Sequence, residues 1–189
     1  ARPSVDSAIG DNSLAFLEAR DFGGIWLLDA LWKRLGIHKA VEGLLDDRAY
    51  TTPIERLIFA MVSSRVLCPG SKLSIEHWVE NNSYIPGLPR VDVHQLYRAM
   101  DLLVDSSEQF QHAIFQQVAK TIDLDVDLLF LDTTNTFFEI DHEDLGEEGL
   151  RKRGHSKDNH PGLPLISIAF AVTRGGIPVR CWVFPGNTS

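Results

Sequence analysis

The residue with the clearest chemical potential in this chain is Asp132, which ends the apolar run Val126–Leu131 in Leu129-Phe130-Leu131-Asp132-Thr133-Thr134. A carboxylate at the end of a buried strand is costly to desolvate unless it is hydrogen-bonded, paired or bound to a cation. Phosphoryl-transfer sites mount carboxylates this rigidly, because two divalent ions held by them clamp the attacking and leaving oxygens. The plainer expectation is that Asp132 caps the strand and bonds the turn that follows.

Further along, Arg151, Lys152, Arg153, His155 and Lys157 form the densest basic cluster. They would contact phosphates beside the strand, giving salt-dependent affinity without base readout. Equally, they would neutralise Glu139, Asp141, Glu143, Asp144, Glu147 and Glu148, the acidic run just before them. The scattered His38, His77, His94 and His112 read as surface or core residues. The spacing of His142, His155, His160 and Cys181 matches no familiar zinc site.

Two kinds of element must hold these residues. Up to about residue 120 the periodicity is helical. Ile25, Leu28, Leu31, Trp32 and Leu35 recur at three- and four-residue steps before Gly36, and Trp26, Trp32 and Trp78 are expected to pack. Thr52-Pro53-Ile54-Glu55 reads as a capping box with proline at the first helical position, followed by a stripe of Leu57, Ile58, Met61 and Val62. Cys68-Pro69-Gly70-Ser71 breaks the chain before a shorter helix, and Pro86-Gly87 turns a loop. Asp92 and Gln95 start a helix with Val93, Leu96, Tyr97, Met100 and Leu103 on its face. Ser106 or Ser107 starts a last one carrying Phe110, Ile114, Phe115 and Val118. After Lys120 the period changes. Residues 126–131 suit a strand buried on both faces. Residues 165–173 alternate, Arg174-Gly175-Gly176 is a hairpin turn, and 177–184 returns.

Composition sets the class. With 44% hydrophobic and 23% charged residues the chain is ordinary for a globular protein. Two distant cysteines give no disulfide framework, and no apolar run is long enough to span a bilayer, so a cytoplasmic protein with no membrane partner is expected. The net charge of −8 argues against a nucleic-acid partner until its distribution is considered. Residues 1–149 hold 12 Lys and Arg against 25 Asp and Glu, whereas residues 150–189 hold 6 against 1. An acidic body with a basic carboxyl-terminal stretch suggests a localised anionic partner.

Leu131-Asp132-Thr133-Thr134, an acidic loop, Gly154-His155-Ser156-Lys157-Asp158, a strand, Gly175-Gly176-Ile177-Pro178, a strand and Pro185-Gly186-Asn187 follow one another in an order that resembles the DDE transposases of bacterial insertion sequences. The resemblance spans roughly residues 125–189. It implies an α+β protein: a helical amino-terminal region (1–120) that binds DNA ends or dimerises, then the first strands of a ribonuclease-H-like mixed sheet (121–189). It further implies Mg²⁺ or Mn²⁺, DNA element ends as partner, no small-molecule substrate, and strand cleavage and transfer as the reaction, with Asp132 as first catalytic aspartate and metal ligand. Arg151, Lys152, Arg153, His155 and Lys157 would be its DNA contacts. The family's second aspartate and its glutamate have no counterpart between Asp132 and Ser189. The expectation is therefore an amino-terminal portion, inactive alone. The alternative is a non-catalytic module that binds DNA or a transposase and regulates it.

Overall fold

A computed structural model of the chain describes residues 18–45, 53–124, 129–155 and 162–188. Its elements are α1 (Gly23–Arg34), α2 (Ile37–Gly43), α3 (Ile54–Leu67), α4 (Lys72–Asn81), α5 (Val93–Asp105), α6 (Ser107–Ile122), β1 (Leu129–Phe137), β2 (Leu165–Thr173) and β3 (Pro178–Pro185). The protein is α+β, and it divides into two compact units. One takes residues up to Ala30 and Thr51–Met100, the other Leu31–Tyr50 and Asp101–Ser189. No helix among the described residues is long and apolar enough to cross a membrane.

The first unit is helical and well filled. Ile25, Leu57, Ile58, Phe59, Ile75, Val79 and Leu96 are buried in it. On α1 the 100° step per residue puts Ile25 and Asp29 on the buried side and turns Trp26 out to solvent, against the expectation that it packs. Helix α3 starts at Ile54 with Pro53 just before it, one position later than the capping-box reading placed it; Thr52 lies outside the described residues. The Glu55 carboxylate pairs with Arg56, and the Thr52 end of the expected capping box lies outside the described residues. Arg56 also donates to Asp29 at 2.7 Å and lies over the Phe59 ring, so one guanidinium ties α1 to α3. Burial opposes its charge, but the bonds to Glu55 and Asp29 outweigh that and raise its pKa.

The break at Cys68–Ser71 is as read, and Ser71 caps α4 by accepting from the Ser74 amide. Gly87 takes a positive φ of 79°, and the Leu88 amide closes the turn on the Ile85 carbonyl. Asp92 and Gln95 form the expected capping box: the Asp92 amide donates to Gln95 Oε1, and the His94 amide to Asp92 Oδ1. The buried face of α5 is Leu96, Ala99 and Leu102, with Tyr97 and Met100 outside.

In the second unit α2 packs on α6, where Gly36 adopts the left-handed φ of 71° that disfavours any side chain, with Gln117 close beside it. Helix α6 packs on β3. Among the described residues the three strands form one sheet in the order β1-β2-β3, antiparallel throughout, with β2 and β3 paired as the expected hairpin. Residues 165–173 are a strand as read, and Gly176 (φ 78°) turns the chain back into β3.

Strand β1 departs most from the sequence reading. It does not end at Asp132 but runs on to Phe137, and it is not buried on both faces. Leu129, Phe130 and Leu131 are 48%, 51% and 68% exposed. The cause is position, since β1 has β2 on one side and lies at the sheet's edge among the described residues. The first part of the expected strand, before Leu129, falls outside them.

Candidate functional site

Asp132 sits mid-strand on β1, in register with Phe170 on β2 and, one strand further, Cys181 on β3. It is exposed, and its Oδ1 accepts from the backbone amide of Thr133 at 2.8 Å. No ion pair to it is found among the described residues. The carboxylate is therefore mounted on a rigid strand with its second oxygen open to solvent. The desolvation cost anticipated for a buried Asp132 does not arise, so its presence needs no cation to explain it. Among the described residues no three His, Cys, Asp or Glu side chains converge on one point. Asp132 offers one ligand, and these residues do not make a divalent-ion site by themselves.

The basic cluster is held by the acidic loop. Arg151 Nε donates to Asp144 Oδ1 at 2.8 Å, the Arg151 amide to Asp144 Oδ2 at 2.9 Å, and the guanidinium reaches over Phe138. These bonds lower the Asp144 pKa to about 2, first the guanidinium's and then the amide's, and they raise that of Arg151. Lys152 Nζ donates to the carbonyls of Asp144 and Gly146 at 2.7 and 2.9 Å. Arg153 donates to the carbonyls of Gly162 and Asp141, and its amide to Glu143. Arg151 and Lys152 thus serve the loop's own carboxylate and carbonyls, and Arg153 joins the loop to Gly162. His155 is exposed, and Lys157 lies outside the described residues.

The structure also joins segments that look separate in the sequence. Lys152 exchanges backbone hydrogen bonds with Leu165, and the Gly186 amide donates to the Leu150 carbonyl. At that crossing a Cβ on Gly154 would collide with the Gly186 carbonyl, and one on Gly186 with the carbonyls of Leu165 and Lys152. The glycine of the basic segment and that of Pro185-Gly186-Asn187 are both needed for the two backbones to meet. Asn135 on β1 continues the attachment by donating to the His155 carbonyl at 2.9 Å.

Sequence reasoning missed Asn135, Ser167 and Asp144. A signal existed for the first, since asparagine is disfavoured inside strands. None existed for Asp144, one of several acids in a run. On the α6 side of the sheet a shallow apolar cavity of about 200 Å³ is lined by Phe110, Ile114, Phe115, Phe170, Val179 and Cys181, with Gln111 accepting from the Cys181 amide. Burial raises the Cys181 thiol pKa, which keeps it a packing group. In the helical unit a cleft of about 620 Å³ runs from Asp21–Ile25 to Cys68, His77 and Trp78, with no converging carboxylates. No protein-family model, curated protein or solved structure matches this chain.

Proposed function

We propose that this chain is the amino-terminal portion of a DDE-type transposase, with β1, β2 and β3 as the first strands of a ribonuclease-H-like core and Asp132 as its first acid. The reading rests on one observation: a solvent-open carboxylate fixed in the middle of a nine-residue strand, with no cation partner among the described residues. Asp132 would contribute one ligand to Mg²⁺ or Mn²⁺ and bring the ion to a DNA phosphate. The other acids of the set would come from outside residues 1–189. Two ions clamped by several carboxylates are what strand cleavage requires, so this chain by itself is expected to bind DNA weakly and not cut it.

A second reading is a non-catalytic module that binds DNA or a transposase. The anchoring of Arg151, Lys152 and Arg153 favours the transposase-binding form of this reading over the DNA-binding form, because those charges serve the chain's own fold. Titrating Mn²⁺ while following backbone amide signals separates the two. Selective broadening around Asp132–Thr134, lost in Asp132→Ala, is the expected result of the first reading. Broadening confined to the acidic loop, unchanged in that variant, would leave the second. Duplex DNA that binds at neither low nor moderate salt would remove DNA from both.

A further inference from the structure

The side-chain amide of Asn135 is used at both ends. Its Oδ1 accepts from Ser167 Oγ at 3.2 Å, and its Nδ2 donates to the His155 carbonyl at 2.9 Å. Asn135 and Ser167 are direct cross-strand partners on β1 and β2, so the sheet's register sets the position of the amide. A carbonyl can only accept, which forces the NH₂ end toward His155 and leaves the oxygen for the serine. Asparagine within a strand gives up local preference, and here the return is a donor aimed out of the sheet at another segment. That segment is already tied down on its other side, by the Lys152–Leu165 bridge and the Gly154–Gly186 crossing. With Asn135 the tie extends to His155.

We infer that Asn135 is a positioning residue: through the Ser167–Asn135–His155 relay it pins the exposed His155 beside β1, three residues on from Asp132. Within the basic cluster, Arg151, Lys152 and Arg153 are occupied by neighbouring carboxylates and carbonyls, whereas the imidazole of His155 has no polar partner among the described residues. His155 is therefore the group this relay presents to a phosphate, on the face of β1 opposite to that of Asp132, since residues three apart on a strand point to opposite faces. This partner assignment rests on the DNA reading above; the relay itself does not.

Two measurements on the full chain keep those apart. Trypsin cleavage after Arg153 reports release of the segment with no DNA present, because a protease needs the backbone to open locally. Asn135→Ala and the isosteric Asn135→Asp, which cannot donate, are expected to speed it about fivefold, the population change worth one neutral hydrogen bond. Ser167→Ala should act in the same direction and less. Cleavage rates equal to wild type in both Asn135 variants would overturn the relay. The second measurement is affinity for a short duplex at low salt in a double-mutant cycle. His155→Ala should weaken binding about threefold in the wild-type background and have no effect on top of Asn135→Ala. An equal effect of His155→Ala in both backgrounds would overturn the positioning role. A wild-type chain with no duplex affinity would remove the phosphate partner, and trypsin alone would then judge the relay.

Discussion

The helical unit and the three-stranded sheet treat the same kinds of side chain in opposite ways. In the former, Ile25, Leu57, Phe59 and Leu96 are almost wholly removed from water; in the latter, Leu129, Phe130 and Leu131 stand about half exposed or more. Neither difference is one of composition, since both regions carry dense apolar runs. A helix satisfies its own backbone and needs neighbours on one stripe only. A strand needs a neighbour on each side and cover on each face, and β1 has β2 alone among the described residues. Apolar content therefore reports burial on a helix only after the stripe is known, and on a strand only after its place in the sheet is known.

The largest expected effect tests that contrast directly. Phe59→Ala should destabilise the protein by about 3–5 kcal/mol, because the site is closed on all sides and leaves a cavity. Phe130→Ala removes the same side chain from a half-exposed position on β1 and should cost less than about 1 kcal/mol. Urea unfolding midpoints of the two variants measure the difference. Equal losses would mean that something covers β1 in solution, and the contrast between the regions would fail.

A smaller effect sharpens the comparison through polar groups. Arg56 joins Asp29 and Glu55 with little exposure on any of the three, and it covers Phe59. Arg56→Ala should cost about 2–3 kcal/mol, since it strips two partly buried carboxylates of a cation. Arg56→Lys should recover less than half, because an ammonium cannot reproduce the fork that meets both acids. Arg151→Ala, in the loop beside the sheet, should leave the urea midpoint nearly unchanged and act on local proteolysis of the loop. A global loss matching that of Arg56→Ala would show that the loop belongs to the folding core.

The same contrast explains how much was legible in the sequence. Strand β2, its Gly-Gly turn and the Asp92–Gln95 capping box were readable because each is decided within a few residues by alternation, by φ or by one side-chain bond. The buried face of α5 shares Leu96 with the expected stripe but turns to Ala99 and Leu102 in place of Tyr97 and Met100. Spacing alone does not make that choice, because both sets recur at three- or four-residue steps. Helix α2 was not visible in a seven-residue stretch where tertiary packing supplies most of the stability. The edge status of β1 depends on which strands flank it, information no window of sequence contains. Asp132 could be picked out by its flanking run, but Asn135, Ser167 and His155 come together only through register and a loop crossing.

The smallest expected effect concerns pH and the acidic loop. Asp144 is held by the Arg151 guanidinium and amide, and its pKa is lowered to about 2. Its ordinary value, near 3.9, stands for the unfolded chain. A depressed folded-state pKa means the unfolded form binds the proton first, so the clamp's contribution is complete above about pH 4 and disappears as pH falls through about 2. Because the group lies at the surface, the consequence is local. The Arg151 Nε–H signal should stay protected from solvent exchange at pH 4 and lose protection toward pH 2. Asp144→Asn keeps an acceptor of the same shape without the charge; it should flatten the titration and leave weaker protection at every pH. Loss of Arg151 protection near pH 4 in the unmodified chain would show that the guanidinium is not bound to Asp144 in solution, and its charge would then be available to an external anion.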